Sequence, residues 1–145
     1  MKLTGEFTFN APRDKVWAIL NDPAILGRHM PGCESLEPTG ADEFKATLKV
    51  GVAAIKGTYI ANLRITDKAP PERYTLHVEG QGGPGFVKGE GTVTLAAEGA
   101  ATRLSYDGDL QFGGLIARVG GRLLSGIAEK MTREFFESLG KEAEG

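Results

Sequence analysis

Cysteine, histidine and long apolar runs are all scarce in this chain, and each scarcity removes a class of function. The single cysteine, Cys33, closes no internal disulfide, which suits a reducing compartment. Nothing local lowers its thiol pKa, so it reads as a small buried apolar side chain. The two histidines, His29 and His77, have no cysteines or carboxylates at metal-ligand spacing, and no metal is expected. No run approaches the roughly eighteen apolar residues that mark a membrane-spanning helix. The segment Met1–Glu6 lacks the apolar stretch of a signal peptide, so a cytoplasmic location is expected. A basic excess is missing too: the formal net charge is −2, which argues against a nucleic-acid partner.

Glycine is plentiful instead, with 21 residues clustered at 80–91 and 113–126. The first cluster has no Gly-Lys-Ser/Thr and no following helix, so it is not a phosphate loop. No parallel β-α-β unit surrounds Gly113-Gly114, so it is not a dinucleotide fingerprint. No cofactor is expected. The length suits one domain, residues 1–145, with a core that needs no staples.

Hydrophobic periodicity gives the elements. Leu3, Gly5, Phe7 and Phe9 alternate with polar residues, the pattern of a strand with one buried face. Asn10 is the expected N-cap of a helix with Pro12 in its first turn and Val16, Trp17 and Leu20 on its apolar side. Asp22-Pro23 breaks that helix, a second short one follows, and Pro31-Gly32 ends the segment. From Cys33 to Phe112 strand alternates with turn. Phe44, Ala46 and Leu48 form one inward set, Tyr59, Ala61, Leu63 and Ile65 the next, then Tyr74, Leu76 and Val78. Val87, Gly89, Gly91, Val93 and Leu95 follow, and Leu104, Tyr106, Gly108, Leu110 and Phe112 close the series, as in an antiparallel meander. After Gly113-Gly114 the period becomes helical. Ile116, Val119, Leu123, Ile127, Met131, Phe135 and Leu139 predict one apolar stripe on a helix of roughly 24 residues.

Strand, two short helices, six strands and a long helix is the order of the helix-grip fold: an α+β domain whose curved seven-stranded antiparallel sheet surrounds a long C-terminal helix. Specific residues add to the pattern. Val16-Trp17 with Leu20 and Asp22-Pro23, Pro31-Gly32-Cys33-Glu34, Lys56-Gly57, Gly85-Phe86-Val87-Lys88-Gly89, Gly113-Gly114-Leu115 and Phe135-Phe136 resemble the carbon monoxide dehydrogenase G-subunit family. That family lies within the START-like, Bet v 1-like (SRPBCC) superfamily, and the resemblance covers nearly the whole chain. It implies an accessory protein encoded near molybdenum hydroxylases, with a lipophilic cavity and no established catalytic residues.

The expected ligand-binding residues are the inward positions of that cavity. The sheet supplies Tyr59, Leu63, Leu76, Val78, Gly89, Gly91, Tyr106, Leu110 and Phe112. The long helix adds Ile116, Val119, Leu123 and Ile127, and Trp17, Met30, Phe86 and Leu115 stand at its margins. Tyr59 and Tyr106 either bond a ligand carbonyl or serve as structural tyrosines. Gly89 and Gly91 either leave room for a ligand or let the helix approach the sheet. With Tyr74, these tyrosines are the only titratable inward groups, so general acid–base catalysis lacks a carboxylate or imidazole. Binding without turnover, of a quinone or isoprenoid, is the favoured reading. The alternative is a polyketide cyclase- or hydrolase-like enzyme on a hydrophobic substrate.

Hairpins of a meander alternate between the two ends of the sheet. One end carries polar, acidic turns near 39–42, 67–73 and 97–101. The other carries Val52-Ala53-Ala54-Ile55, Gly82–Phe86 and Gly114-Leu115-Ile116 among the cations Lys56, Lys88, Arg118 and Arg122. Apolar tips of this kind cost solvation energy unless a partner covers them. This end is expected to be the cavity mouth, docking Val52, Ile55 and those cations on the inner membrane face or a molybdenum hydroxylase complex.

Overall fold

The computed structural model describes residues 1–52 and 55–145; Ala53 and Ala54 of the expected apolar tip lie outside the described residues. Strand β1 (Lys2–Phe9) leads to helices α1 (Arg13–Leu20) and α2 (Pro23–His29). Six strands follow: β2 (Cys33–Gly40), β3 (Glu43–Val50), β4 (Gly57–Ala69), β5 (Arg73–Gly82), β6 (Gly85–Glu98) and β7 (Ala101–Gly114). A 3-10 turn at Leu115–Arg118 precedes helix α3 (Gly121–Glu144).

The seven strands make one antiparallel sheet in the order β1-β7-β6-β5-β4-β3-β2, so the first strand pairs with the last and the rest form a meander. Alternation dictates which face is buried. Phe44 and Ala46 on β3, Tyr59, Ala61 and Ile65 on β4, and Leu95 and Leu104 on β6 and β7 all point inward and are buried. Of these, Phe44, Ile65, Leu95 and Leu104 pack with Val16, Ile19 and Leu20 of α1 and with Phe136, Leu139 and Ala143 of α3. Trp17 joins this core by meeting Tyr74 edge to face, ring centroids 5.6 Å apart. A smaller cluster of Tyr59, Ile116 and Leu124 fills the other end of the sheet, with Leu48, Val50, Ile55, Val87, Phe112 and Val119 against it.

Two expectations are corrected. Asn10 is not the N-cap of α1: Pro12 holds that position without a side-chain bond, and Asn10 instead donates from Nδ2 to Glu144 Oε1 at 2.9 Å. The side-chain cap belongs to α2, where the Asp22 carboxylate accepts from the amides of Ala24 and Ile25. The long helix also begins later than its apolar spacing suggested. Gly114 and Gly120 adopt positive φ, 73° and 102°, so the chain turns twice before α3 starts. That break resets the helical phase. Ile116 is buried from the 3-10 turn, Leu124 takes the inward position, and Leu123 is left 50% exposed.

Candidate functional site

An apolar cavity of about 250 Å³ lies between α3 and the strands β1, β5, β6 and β7. The sheet contributes Leu3, Leu76, Val78, Tyr106 and Leu110, and the helix contributes Thr132, Phe135 and Phe136. Its floor is a patch without side chains: Gly91 and Gly108 face each other across β6 and β7, and Gly89 is one step along. A β-carbon on Gly91 would stand 3.2 Å from the Gly108 Cα, so a larger residue there would ask the two strands to give by a few tenths of an ångström. A β-carbon on Gly89 would strike the Leu110 side chain, which can rotate. These glycines therefore open space beneath α3. Thr132 shows the cavity no unmet donor, because its hydroxyl bonds back to the Ala128 carbonyl at 2.7 Å.

A second, open hollow of about 760 Å³ runs along the opposite flank of α3. One wall is Val119, Leu123, Ile127 and Met131; the other is Pro31-Gly32 and the segment from Lys49 to Val52. Arg122, Lys130 and Glu134 edge it.

The expected ligand residues thus separate into groups. Leu76, Val78, Gly89, Gly91, Tyr106 and Leu110 come together around the cavity. Val119, Leu123 and Ile127 line the groove with Val52 and Arg122. Tyr59, Phe112 and Ile116 pack into the smaller cluster, with Ile55 against it. Leu63 and Trp17 pack against the main core. Met30 caps the C-terminus of α2, its amide donating to the Leu26 carbonyl at 2.9 Å. Leu115 is 60% exposed. Phe86 points to the outer face, where its ring covers the side-chain-free Gly113 on β7, and so lies away from the space beneath α3. Thr132, Phe136 and Lys130 were not anticipated. The helical phase shift hid the first two, and nothing in sequence separates Lys130 from any solvated lysine.

Each inward tyrosine is held differently. Tyr59 donates its hydroxyl to the Ile55 carbonyl at 2.6 Å, and burial raises its pKa. Tyr74 is raised strongly by the same cause. Tyr106, on the cavity wall, is raised chiefly by burial and further by the Glu129 carboxylate, with Arg133 opposing. Burial likewise pushes up the Cys33 thiol, against a bond to the Ser35 carbonyl. Neither histidine lines the cavity. His77 lies on the outer face of the sheet, between Thr66 Oγ1 at 2.9 Å and Glu90 Oε2 at 3.1 Å. His29 ties α2 to α3 through Ser138 Oγ and Glu142, 3.4 Å from Nε2. Arg28 also binds Glu142, and these two donors hold its carboxyl below the usual range. Among the described residues no group of three or more metal-ligating side chains converges, and no helix is long and apolar enough to cross a membrane.

The same architecture recurs in solved structures. A conserved protein from Geobacillus kaustophilus has a crystal structure that matches with TM-score 0.96 and 40% identity, covering 99% of this chain and 95% of its own. A START superfamily protein from Mycobacterium smegmatis matches with TM-score 0.76 at 14% identity, over 99% and 97%. The Zhui aromatase/cyclase from Streptomyces sp. R1128 matches with TM-score 0.71 at 18% identity, over 99% and 93%. At those two identities the likeness is one of fold. No curated protein matches the sequence. The family model for the G subunit of carbon monoxide dehydrogenase (CoxG) matches residues 5–144. With nearly every residue inside that match, and the helix-grip architecture its sequence pattern predicts, this chain belongs to the CoxG family, named for the G subunit of carbon monoxide dehydrogenase.

Proposed function

We propose that this protein binds a lipophilic molecule of the quinone or isoprenoid class beneath α3 and passes it to or from a molybdenum hydroxylase such as carbon monoxide dehydrogenase. The observation that carries the reading is the cavity itself. Its lining is almost wholly apolar, and its glycine floor maintains space where side chains would otherwise fill the core. Natural interiors leave few voids of this size, because each lost contact weakens packing. Pockets for drug-sized ligands begin near 300 Å³, so about 250 Å³ suits a single ring or a short branched chain, with any tail outside. Tyr106 lines this space with its ring, and its hydroxyl lies against Gly5 on β1.

The family membership supports the redox partner, and the exposed residues at the same end of the sheet support the docking surface. Val52, Phe86 and Leu115 are exposed there, near Lys56 and Arg118. Each basic residue near an anionic bilayer adds on the order of 1 kcal/mol, enough together for reversible attachment at the inner membrane face. Lys88 adds less, since Glu79 lies 3.9 Å from it on the outer face. Liposomes containing anionic lipid should co-sediment the protein at low salt, and a Lys56→Glu/Arg118→Glu variant should stay in solution; equal sedimentation of both would remove this surface from the account.

The second reading, a cyclase- or hydrolase-like enzyme, draws on the shared fold with the aromatase/cyclase. It needs an acid or base at the substrate. Glu90 and Asp107 border the cavity through backbone on outward-facing positions, and the histidines are occupied elsewhere. Binding without turnover is therefore favoured. Displacement of a fluorescent lipophile by quinones or isoprenoids tests the binding reading, while turnover in esterase, cyclase or hydratase assays would favour the enzyme.

A further inference from the structure

The groove on the other flank of α3 has a chemistry that the cavity lacks. Its floor and walls are apolar, with Leu123 50% and Val52 41% exposed, so two large side chains present bare hydrocarbon to water. Its helix edge carries two cations, Arg122 and Lys130, against one carboxylate, Glu134, while Lys49 borders it through backbone on an outward-facing strand position. Glu134 is already shared, standing 4.0 Å from Lys130 one turn away. Among the described residues no carboxylate lies within salt-bridge distance of Arg122.

The start of α3 adds to this imbalance. Gly120 caps it without a side-chain bond, and its first turn contains no acid but does contain Arg122. A helix start without a carboxylate leaves its amide dipoles uncompensated. The groove is about 18 Å long from Arg122 to Glu134 at 1.5 Å per residue, so it offers an elongated apolar trough with positive charge at one end.

We propose that this groove binds a single-chain acidic amphiphile, one molecule at a time, with its hydrocarbon tail on Val50, Leu123, Ile127 and Met131 and its carboxylate at Arg122, beside the start of α3. The site is separate from the cavity beneath α3 and does not depend on what that cavity holds. An uncharged lipophile would leave Arg122 unmatched, whereas a carboxylate gains charge-assisted hydrogen bonds there. Selectivity for the acid over the alcohol of equal chain length follows.

The test uses dodecanoate and dodecanol below their aggregation thresholds, with amide chemical shifts of Leu123, Ile127 and Gly51 as the readout. A Thr132→Phe background fills the cavity beneath α3 and confines binding to the groove. Dodecanoate is expected to bind at least about tenfold tighter than dodecanol, the size of one charge-assisted hydrogen bond. An Arg122→Gln variant, altered only at an exposed side chain, should lose about that factor for dodecanoate and none for dodecanol. Equal affinity for the two probes, or no effect of the variant, overturns the proposal. So does binding to anionic vesicles without binding to monomeric dodecanoate, which would make the groove a membrane contact instead. Failure here with lipophile binding intact in the Thr132 wild type would leave the cavity reading untouched.

Discussion

The hydroxyl of Tyr106 occupies the place that a β-carbon on Gly5 would take, directly across the β1–β7 pairing. The glycine thus sets where the tyrosine ring stands, and the ring forms one wall of the cavity. Gly5→Ala would push that ring toward the ligand space. It should cost about 1–3 kcal/mol in stability, the usual range for overpacking, and weaken lipophile binding in the same variant. Denaturant titration and probe displacement measure the two effects. Unchanged binding after loss of stability would detach Tyr106 from the site.

Tyr106→Phe keeps the ring and removes only the hydroxyl. If that hydroxyl bonds a ligand carbonyl, quinone affinity should fall by up to about tenfold, with little change for an isoprenoid hydrocarbon. Equal effects on both ligands would assign the hydroxyl a packing role.

Tyr59 makes the opposite kind of bond. Its hydroxyl donates to the Ile55 carbonyl at 2.6 Å and ties β4 to the chain entering it. Tyr59→Phe should cost about 1 kcal/mol and speed hydrogen exchange of the amides at 55–58. Exchange there that matches wild type would mean the bond carries no local stability.

Acid sensitivity has a defined origin in Glu142. Hydrogen bonds from Arg28 and His29 depress its folded-state pKa below the ordinary 4.5. A depressed carboxyl contributes stability above its unfolded pKa and loses it as pH falls through the folded one. Glu142→Gln should therefore lower the melting temperature at pH 6, and the gap from wild type should narrow as pH falls below 4.5 and close as it passes the depressed folded value. A gap that persists at acid pH would point to packing between α2 and α3 instead.

Strand parity made much of this architecture readable from sequence. The alternation at Tyr59–Ile65 and at Leu104–Phe112 has period two, and one face of each run had to be buried, so the inward residues of the meander followed directly. The same logic placed Gly89, Gly91 and Gly108 on the inner face. Whether they made space or allowed close approach depended on where α3 sits, which local pattern does not encode. The helix was harder. Spacing from Ile116 to Leu139 looked continuous, but Gly120 at positive φ broke it, and Leu124 replaced Leu123 on the inner side. Phe86 is expected at the cavity margin as one of the apolar tips of the mouth, yet strand parity sends it outward onto Gly113. The His29–Ser138–Glu142 link joins positions more than a hundred residues apart and had no local signal.

A binding site beneath α3 and a packing defect there differ in what happens when the space is filled. Thr132 borders that space with a hydroxyl satisfied by its own helix, so Thr132→Phe fills it without stranding a polar partner. Native mass spectrometry of wild type and Thr132→Phe protein, each mixed with a short-chain quinone, measures the claim directly. Wild type should carry one quinone, and the variant should carry none while melting at the same temperature or higher. Equal quinone occupancy in both proteins would contradict the account.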